Sequence, residues 1–206
     1  MRIVVIDTET GGLDPARHSI LSVGVALLEN GKVLDAREWL VAEPEEELAY
    51  DQEALRINGI NIEAHMKVAE PPRDVLVGIA DFIPRNFRQN RGRAQLAGHN
   101  IGFDVGFMRR LARLGGLPDY MRDMFAYKHL DTSVILQYLA ARGELEYNPG
   151  SLGKACEFFG ITLDNAHTAK ADAVATAELL ARMLAPPSEL LNPSASEREA
   201  DQLGLF

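Results

Sequence analysis

The sequence predicts an α/β fold, a single mixed five-stranded sheet with helices packed against it. Two observations carry this expectation. The chain opens with three β-patterned runs separated by turn signals. After residue 50, helical periodicity alternates with two short apolar runs.

Each element follows from its residues. Residues 2–7 form the first strand, because Ile3-Val4-Val5-Ile6 is a β-branched apolar run. Residues 20–28 and 32–41 form the next two, joined at Glu29-Asn-Gly-Lys32. Asn-Gly between apolar runs is a hairpin signal, so these three strands make an antiparallel meander. Helical patterns cover 51–57 and 73–83, and a short strand fits 94–97. A helix fits 102–114, where Phe103, Phe107, Met108, Leu111 and Leu114 share a face. Asn100 is placed to cap it, and Gly115, Gly116 and Pro118 end it. A fifth strand at 127–131 leads into a helix at 132–141. Ser151 caps a helix over 151–159, and the last helix covers 168–184 with Ala173, Val174, Ala177, Leu180 and Ala181 on one face. From 185 to 206 the composition turns to Pro, Ser and charged residues, which reads as a flexible linker and tail.

Bulk properties narrow the function. A chain of 206 residues with 47% hydrophobic and 25% charged residues suits one globular domain plus a short appendage. The single cysteine, Cys156, excludes an internal disulfide and lies in an apolar helical stretch that predicts burial. With no signal-like leader and no membrane-length apolar stretch, a cytoplasmic location is expected. A net charge of −9 argues against broad non-specific nucleic-acid binding, but leaves room for a nucleic-acid enzyme that grips its ligand through metal ions. Arg85, Arg88, Arg91 and Arg93, and then Arg109, Arg110 and Arg113, read either as solvated surface or as a phosphate track. The acidic run from Glu43 to Glu47 reads as a solvated loop.

The chemistry concentrates on carboxylates. Asp7 and Glu9 stand two apart on a strand, so both project the same way from the end of an apolar run. Paired like charges there need a counter-charge, and all-oxygen ligands point to Mg²⁺ or Mn²⁺. Two further signals open helices: His99-Asn100-Ile-Gly-Phe103-Asp104, and His167-Thr-Ala-Lys-Ala-Asp172. Singly, Asp104 and Asp172 are equally well read as first-turn helix residues favoured by the macrodipole.

Taken together, Asp-Thr-Glu-Thr-Gly-Gly-Leu-Asp at 7–14, His-Asn-x-x-Phe-Asp at 99–104 and His-x4-Asp at 167–172 resemble the three motifs of the DnaQ-like 3′–5′ exonucleases of the DEDDh type. The resemblance covers 1–184 and includes similarity to the DNA polymerase III epsilon subunit. It implies a ribonuclease H-like sheet, the antiparallel meander extended by parallel strands. It also implies that Asp7, Glu9, Asp104 and Asp172 hold two Mg²⁺ (or Mn²⁺) ions. Such a pair activates a water and stabilises the leaving 3′ oxygen. His167 would be the general base, and the product a nucleoside 5′-monophosphate. Thr10, Leu13, Glu53, His99 and Phe103 would contact the terminal nucleotide. Two positions depart from the family pattern: Gly11 replaces a common Thr, and Asn58 replaces a common His.

The tail adds a partner. Gln202-Leu203-Gly-Leu205-Phe206 resembles the pentapeptide that binds the bacterial sliding clamp. This places the expected substrate at single-stranded or frayed 3′ ends of DNA, in proofreading or repair, with a polymerase subunit as a possible companion. The alternatives are an RNA 3′-trimming exonuclease of the same fold and a catalytically idle clamp-associated scaffold. A haloacid-dehalogenase-type phosphatase is disfavoured, because it would want Asp-x-Asp rather than Asp7-Thr8-Glu9.

Overall fold

The structure is a computed structural model, and it describes residues 1–163 and 168–184. Five strands form one sheet in the order β3-β2-β1-β4-β5. These are β1 (Arg2–Thr10), β2 (Ile20–Glu29), β3 (Lys32–Leu40), β4 (Leu96–Gly98) and β5 (Leu130–Asp131). The first three are antiparallel, whereas β4 runs parallel to β1, and β5 parallel to β4. The β2–β3 turn is the predicted one: Asn30 and Gly31 both have positive φ, 51° and 80°, as a two-residue turn of this twist requires.

Strand β1 runs further than expected. It extends past Asp7 to Thr10, so Glu9 lies inside the strand opposite Ser22, with a register shift just after it. Its alternation divides the molecule. Val4 and Ile6 enter one core with Val75, Leu76 and Ile79 of α3 (Pro72–Phe82) and Phe107, Met108 and Leu111 of α4 (Gly102–Leu114). Ile3 and Val5 enter the other, with Ala173, Ala177 and Leu180 of α8 (Ala169–Met183). Alanines on α8 let it lie close against the sheet, as the predicted small-residue face requires. A third cluster joins α8 to α6 (Thr132–Ala141) and α7 (Leu152–Phe158), and buries Cys156.

Further helices are α1 (Gln52–Asn58), α2 (Ile62–Met66) and α5 (Tyr120–Met124). The two five-residue helices α2 and α5 have no counterpart in the sequence reading, because one turn carries no periodicity. Strand β4 starts two residues later than expected, since Ala94 bridges to Phe125 before the strand reaches β1.

Other expectations are corrected. Asn100 does not cap α4. It sits in a left-handed turn (φ 59°), its amide donates to Asp131, and Ile101 takes the cap position without a side-chain bond. The Glu43–Glu47 run is not simply solvated: Glu43 is 1% exposed and accepts a bidentate pair from Arg110, itself buried, at 2.9 and 2.8 Å. The Ile20 amide donates to the same carboxylate at 3.0 Å. Arg110 therefore belongs to the interior and not to a phosphate track. Ser151 does start α7, but makes no side-chain cap bond. Among the described residues, no helix is long and apolar enough to cross a membrane.

Candidate active site

Three elements bring the carboxylates together at the point where the sheet changes from antiparallel to parallel, beside the carboxyl end of β4. Open α/β sheets form crevices at such switch points. Asp7 and Glu9 carry on the alternation of Ile3 and Val5, so they face α8. From the first turn of α8 comes Asp172, and Asp7, Glu9 and Asp172 each offer an oxygen within 4.8 Å of the others. Asp104 arrives from the opposite face on α4 and stands beside this trio. It is buried and accepts the Thr8 hydroxyl at 2.8 Å. Thr8 has the parity of Val4 and Ile6, which is why it meets α4 and not α8.

Electrostatics show what this costs. Burial holds the Asp7 carboxyl well above the usual carboxylate range, and the charges of Asp104, Asp172, Glu9 and Glu38 push it further. Glu9 is raised to about 7, first by burial and then by Asp172, Glu38 and Asp104. Asp104 is raised to about 7 by burial, against the Thr8 hydrogen bond that lowers it. Among the described residues, the neighbouring charges that raise Asp7 and Glu9 are all carboxylates. An all-oxygen, half-buried donor set that concentrates negative charge fits a hard divalent cation such as Mg²⁺ or Mn²⁺. Asp7, Glu9 and Asp172, with Asp104 alongside, are the residues that would hold it.

A cavity of about 340 Å³ adjoins the carboxylates and shares Glu9 with them. Leu13, Ala54, Ile57 and Phe103 give it apolar walls, while Thr10, Asp51, Glu53 and Asn58 also line it. Leu13 is 84% exposed and Ile57 54%, although both are large apolar residues. Phe103 is half-buried, its ring 4.9 Å from that of Phe107. Hydrogen bonds lace this wall to the fold. Gly11 N–H donates to Ser19 O, Ser19 N–H to Ala49 O, and Asp51 N–H to Gly11 O. The Asn58 side chain donates to Thr10 O at 3.2 Å and accepts from the Ile60 amide at 3.1 Å, so it ties α1 to the end of β1.

The remaining predicted residues sort as follows. Thr10 lines the cavity, its hydroxyl turned onto Gly12 O at 2.7 Å. Glu53 lines it too, but is held by Arg56 in an exposed pair at 2.6 Å. His99 is not among the lining residues: its ring nitrogens lie 2.9 Å from the Thr132 hydroxyl and 3.2 Å from Gly150 O. That makes it a brace between β4, α6 and the start of α7. Burial pushes its pKa below the usual histidine value. His167, Gln202, Leu203, Leu205 and Phe206 lie outside the described residues. Sequence reasoning missed Ile57 and Asp51 as cavity residues and Glu38 as a neighbour of the carboxylates. Ile57, a large apolar residue between Arg56 and Asn58, was a readable signal; Glu38 gave none.

A family model for an exonuclease (RNase_T) matches residues 4–180. The chain belongs to that exonuclease family. Its curated relatives include ribonuclease T of Hahella chejuensis (strain KCTC 2396), 32% identical over 184 residues, covering 85% of this chain and 80% of the relative. Ribonuclease T of Photorhabdus laumondii is 31% identical over 192 residues, covering 88% and 82%. Among solved structures, the zinc-bound complex of E. coli exonuclease I with single-stranded DNA matches with TM-score 0.74 and 19% identity. It covers 99% of this exonuclease, which spans only 45% of that chain. The nuclease domain of 3′hExo, a DEDDh family member bound to rAMP, matches with TM-score 0.69 and 21% identity, covering 89% and 91%. The five-stranded mixed sheet of this chain is the ribonuclease H-like fold.

Proposed function

We propose that this exonuclease trims single-stranded RNA 3′ ends one nucleotide at a time, releasing nucleoside 5′-monophosphates. The observation that carries the reading is Glu9, which belongs both to the carboxylate group and to the apolar cavity. A terminal base stacked on Phe103 and wedged by Leu13 puts its phosphodiester beside Asp7, Glu9 and Asp172. Stacking on apolar walls is sequence-tolerant, as end-trimming requires. Divalent cations held by Asp7, Glu9, Asp104 and Asp172 would offset the charge of the reacting phosphate and make water a better nucleophile. His167, next to the first residue of the α8 cap, takes the proton from the attacking water; an imidazole pKa of about 6.5 suits that role. RNA is favoured by the two ribonuclease T relatives at 32% and 31% identity.

A DNA reading is favoured by a different observation, the clamp-like pentapeptide Gln202-Leu-Gly-Leu-Phe206. On that reading, 1–184 is the exonuclease domain and 185–206 a tether that brings it to a sliding clamp, and so near a polymerase, in proofreading or repair. Weak peptide affinity would gain from tethering.

Matched RNA and DNA oligonucleotides, single-stranded or with a frayed 3′ mismatch, decide between the readings when assayed in Mg²⁺, in Mn²⁺ and in chelator. Faster loss of RNA 3′ nucleotides, abolished by chelator, is expected. Preferential DNA cleavage, together with clamp pull-down that vanishes on deleting 202–206, would replace it with the second reading. Cleavage that survives chelator would remove the metal role from both.

A further inference from the structure

Asp7, Gly24 and Glu38 stand in one row across β1, β2 and β3, each directly opposite the next. Gly24 has no side chain, and the backbone of Ala169 and Lys170 occupies the space a side chain would need. The start of α8 therefore rests on the sheet between Asp7 and Glu38. One Glu38 oxygen accepts the Ala169 amide at 3.1 Å and the Ser22 hydroxyl at 3.0 Å. Ser22 is itself opposite Glu9 and 1% exposed.

We infer that Glu38 is a positioning residue of the carboxylate centre: from the far strand it fixes the first turn of α8, and so Asp172, against Asp7 and Glu9. The helix already has a local cap, since the Thr168 hydroxyl accepts the Ala171 amide at 3.3 Å. A local cap starts a helix but does not say where on the sheet it starts. Glu38 supplies that second piece of information from an element remote in sequence. Asp172 follows Ala169 by three residues, so it lies on the same face one turn along. The helix N-terminus offsets the Glu38 charge, which lets a fifth carboxylate sit beside four others. Glu38 stands outside the group whose oxygens converge, so it acts through α8 and not as a ligand. Partners that orient ligating carboxylates in this way typically change metal affinity by about 10- to 100-fold when removed.

The inference rests on the metal-dependent reading of the centre. Its test uses the full chain with Glu38→Ala, Glu38→Asp and Glu38→Gln, reading Mn²⁺ affinity by calorimetry and turnover on a short 3′-ended oligonucleotide. Alanine and the shorter aspartate are expected to weaken Mn²⁺ binding by about tenfold or more and to lower kcat with KM little changed. Glutamine keeps an oxygen of the same reach, and should stay within about threefold of wild type on both readouts. If Glu38→Ala does not fold, the Asp and Gln pair decides. Wild-type affinity in the aspartate variant, or a loss with glutamine as large as with aspartate, overturns the inference. Failure of the wild-type chain to bind Mn²⁺ would instead overturn the metal reading beneath it.

Discussion

Gly24 of β2 lies against the carbonyl of Ala169, so closely that a single methyl group on it would overlap the α8 backbone. The helix that brings Asp172 to the site can approach because one strand position carries no side chain. Gly24→Ala is expected to cost about 1–3 kcal/mol through overpacking. It should also depress turnover more than global stability accounts for, because the displaced turn carries Asp172. Thermal unfolding and kcat at saturating substrate check this together. An unchanged kcat in a destabilised but folded variant would show that α8 can tilt without moving Asp172.

Arg110 and Glu43 are expected to matter for stability alone. Removing the arginine leaves a carboxylate fully shielded from solvent without its bidentate partner. Arg110→Met should therefore cost about 3–5 kcal/mol in denaturant unfolding, and the double change with Glu43→Gln distinctly less. Equal losses for the single and double changes would mean the pair contributes packing and not charge compensation.

In chelator, stability should fall as pH rises. Glu9 moves from an ordinary value of 4.5 to about 7, and Asp104 from 3.8 to about 7. Between those limits the folded chain keeps protons the unfolded chain has released, so folding loses ground with each step upward. For the buried Asp104 alone the loss is of order 4 kcal/mol at most. Millimolar Mg²⁺ should flatten the profile by displacing those protons. The measurement is the unfolding midpoint from pH 5 to 8, with and without cation. A midpoint in chelator that climbs over this range would contradict the raised values.

Leu13 should show the opposite signature to Arg110. It is 84% exposed, so Leu13→Ala should shift stability by no more than about 0.5 kcal/mol. If it wedges the terminal base, KM for a short oligonucleotide should rise roughly fivefold to tenfold. An unaltered KM would mean the exposed leucine serves another surface.

The sheet and the carboxylate trio were legible in the sequence for a simple reason. Alternation along β1 sets Asp7 and Glu9 on the parity of Ile3 and Val5, and helical spacing sets Asp172 near the start of α8. Glu38 was not legible, because its partners are set by strand register and helix docking, which a local pattern does not record. Glu43 and Arg110 misled for a related reason. Each looks like an ordinary surface charge in its own segment, and only their meeting across the fold buries them. His99 shows the same limit from the other side, since its motif position was readable but its bonds to Thr132 and Gly150 depend on how α6 and α7 pack. The short helices α2 and α5 carry too few residues for periodicity to register.

Asp172 sits on the last described helix, while Asp7 and Glu9 stand almost at the beginning of the chain. The centre therefore exists only while α8 is docked on the sheet. A chain whose α8 has locally opened lacks the converging oxygens of Asp7, Glu9 and Asp172. Any chemistry that needs those oxygens together is thereby tied to a single packing contact, the seat of α8 on the sheet at Gly24.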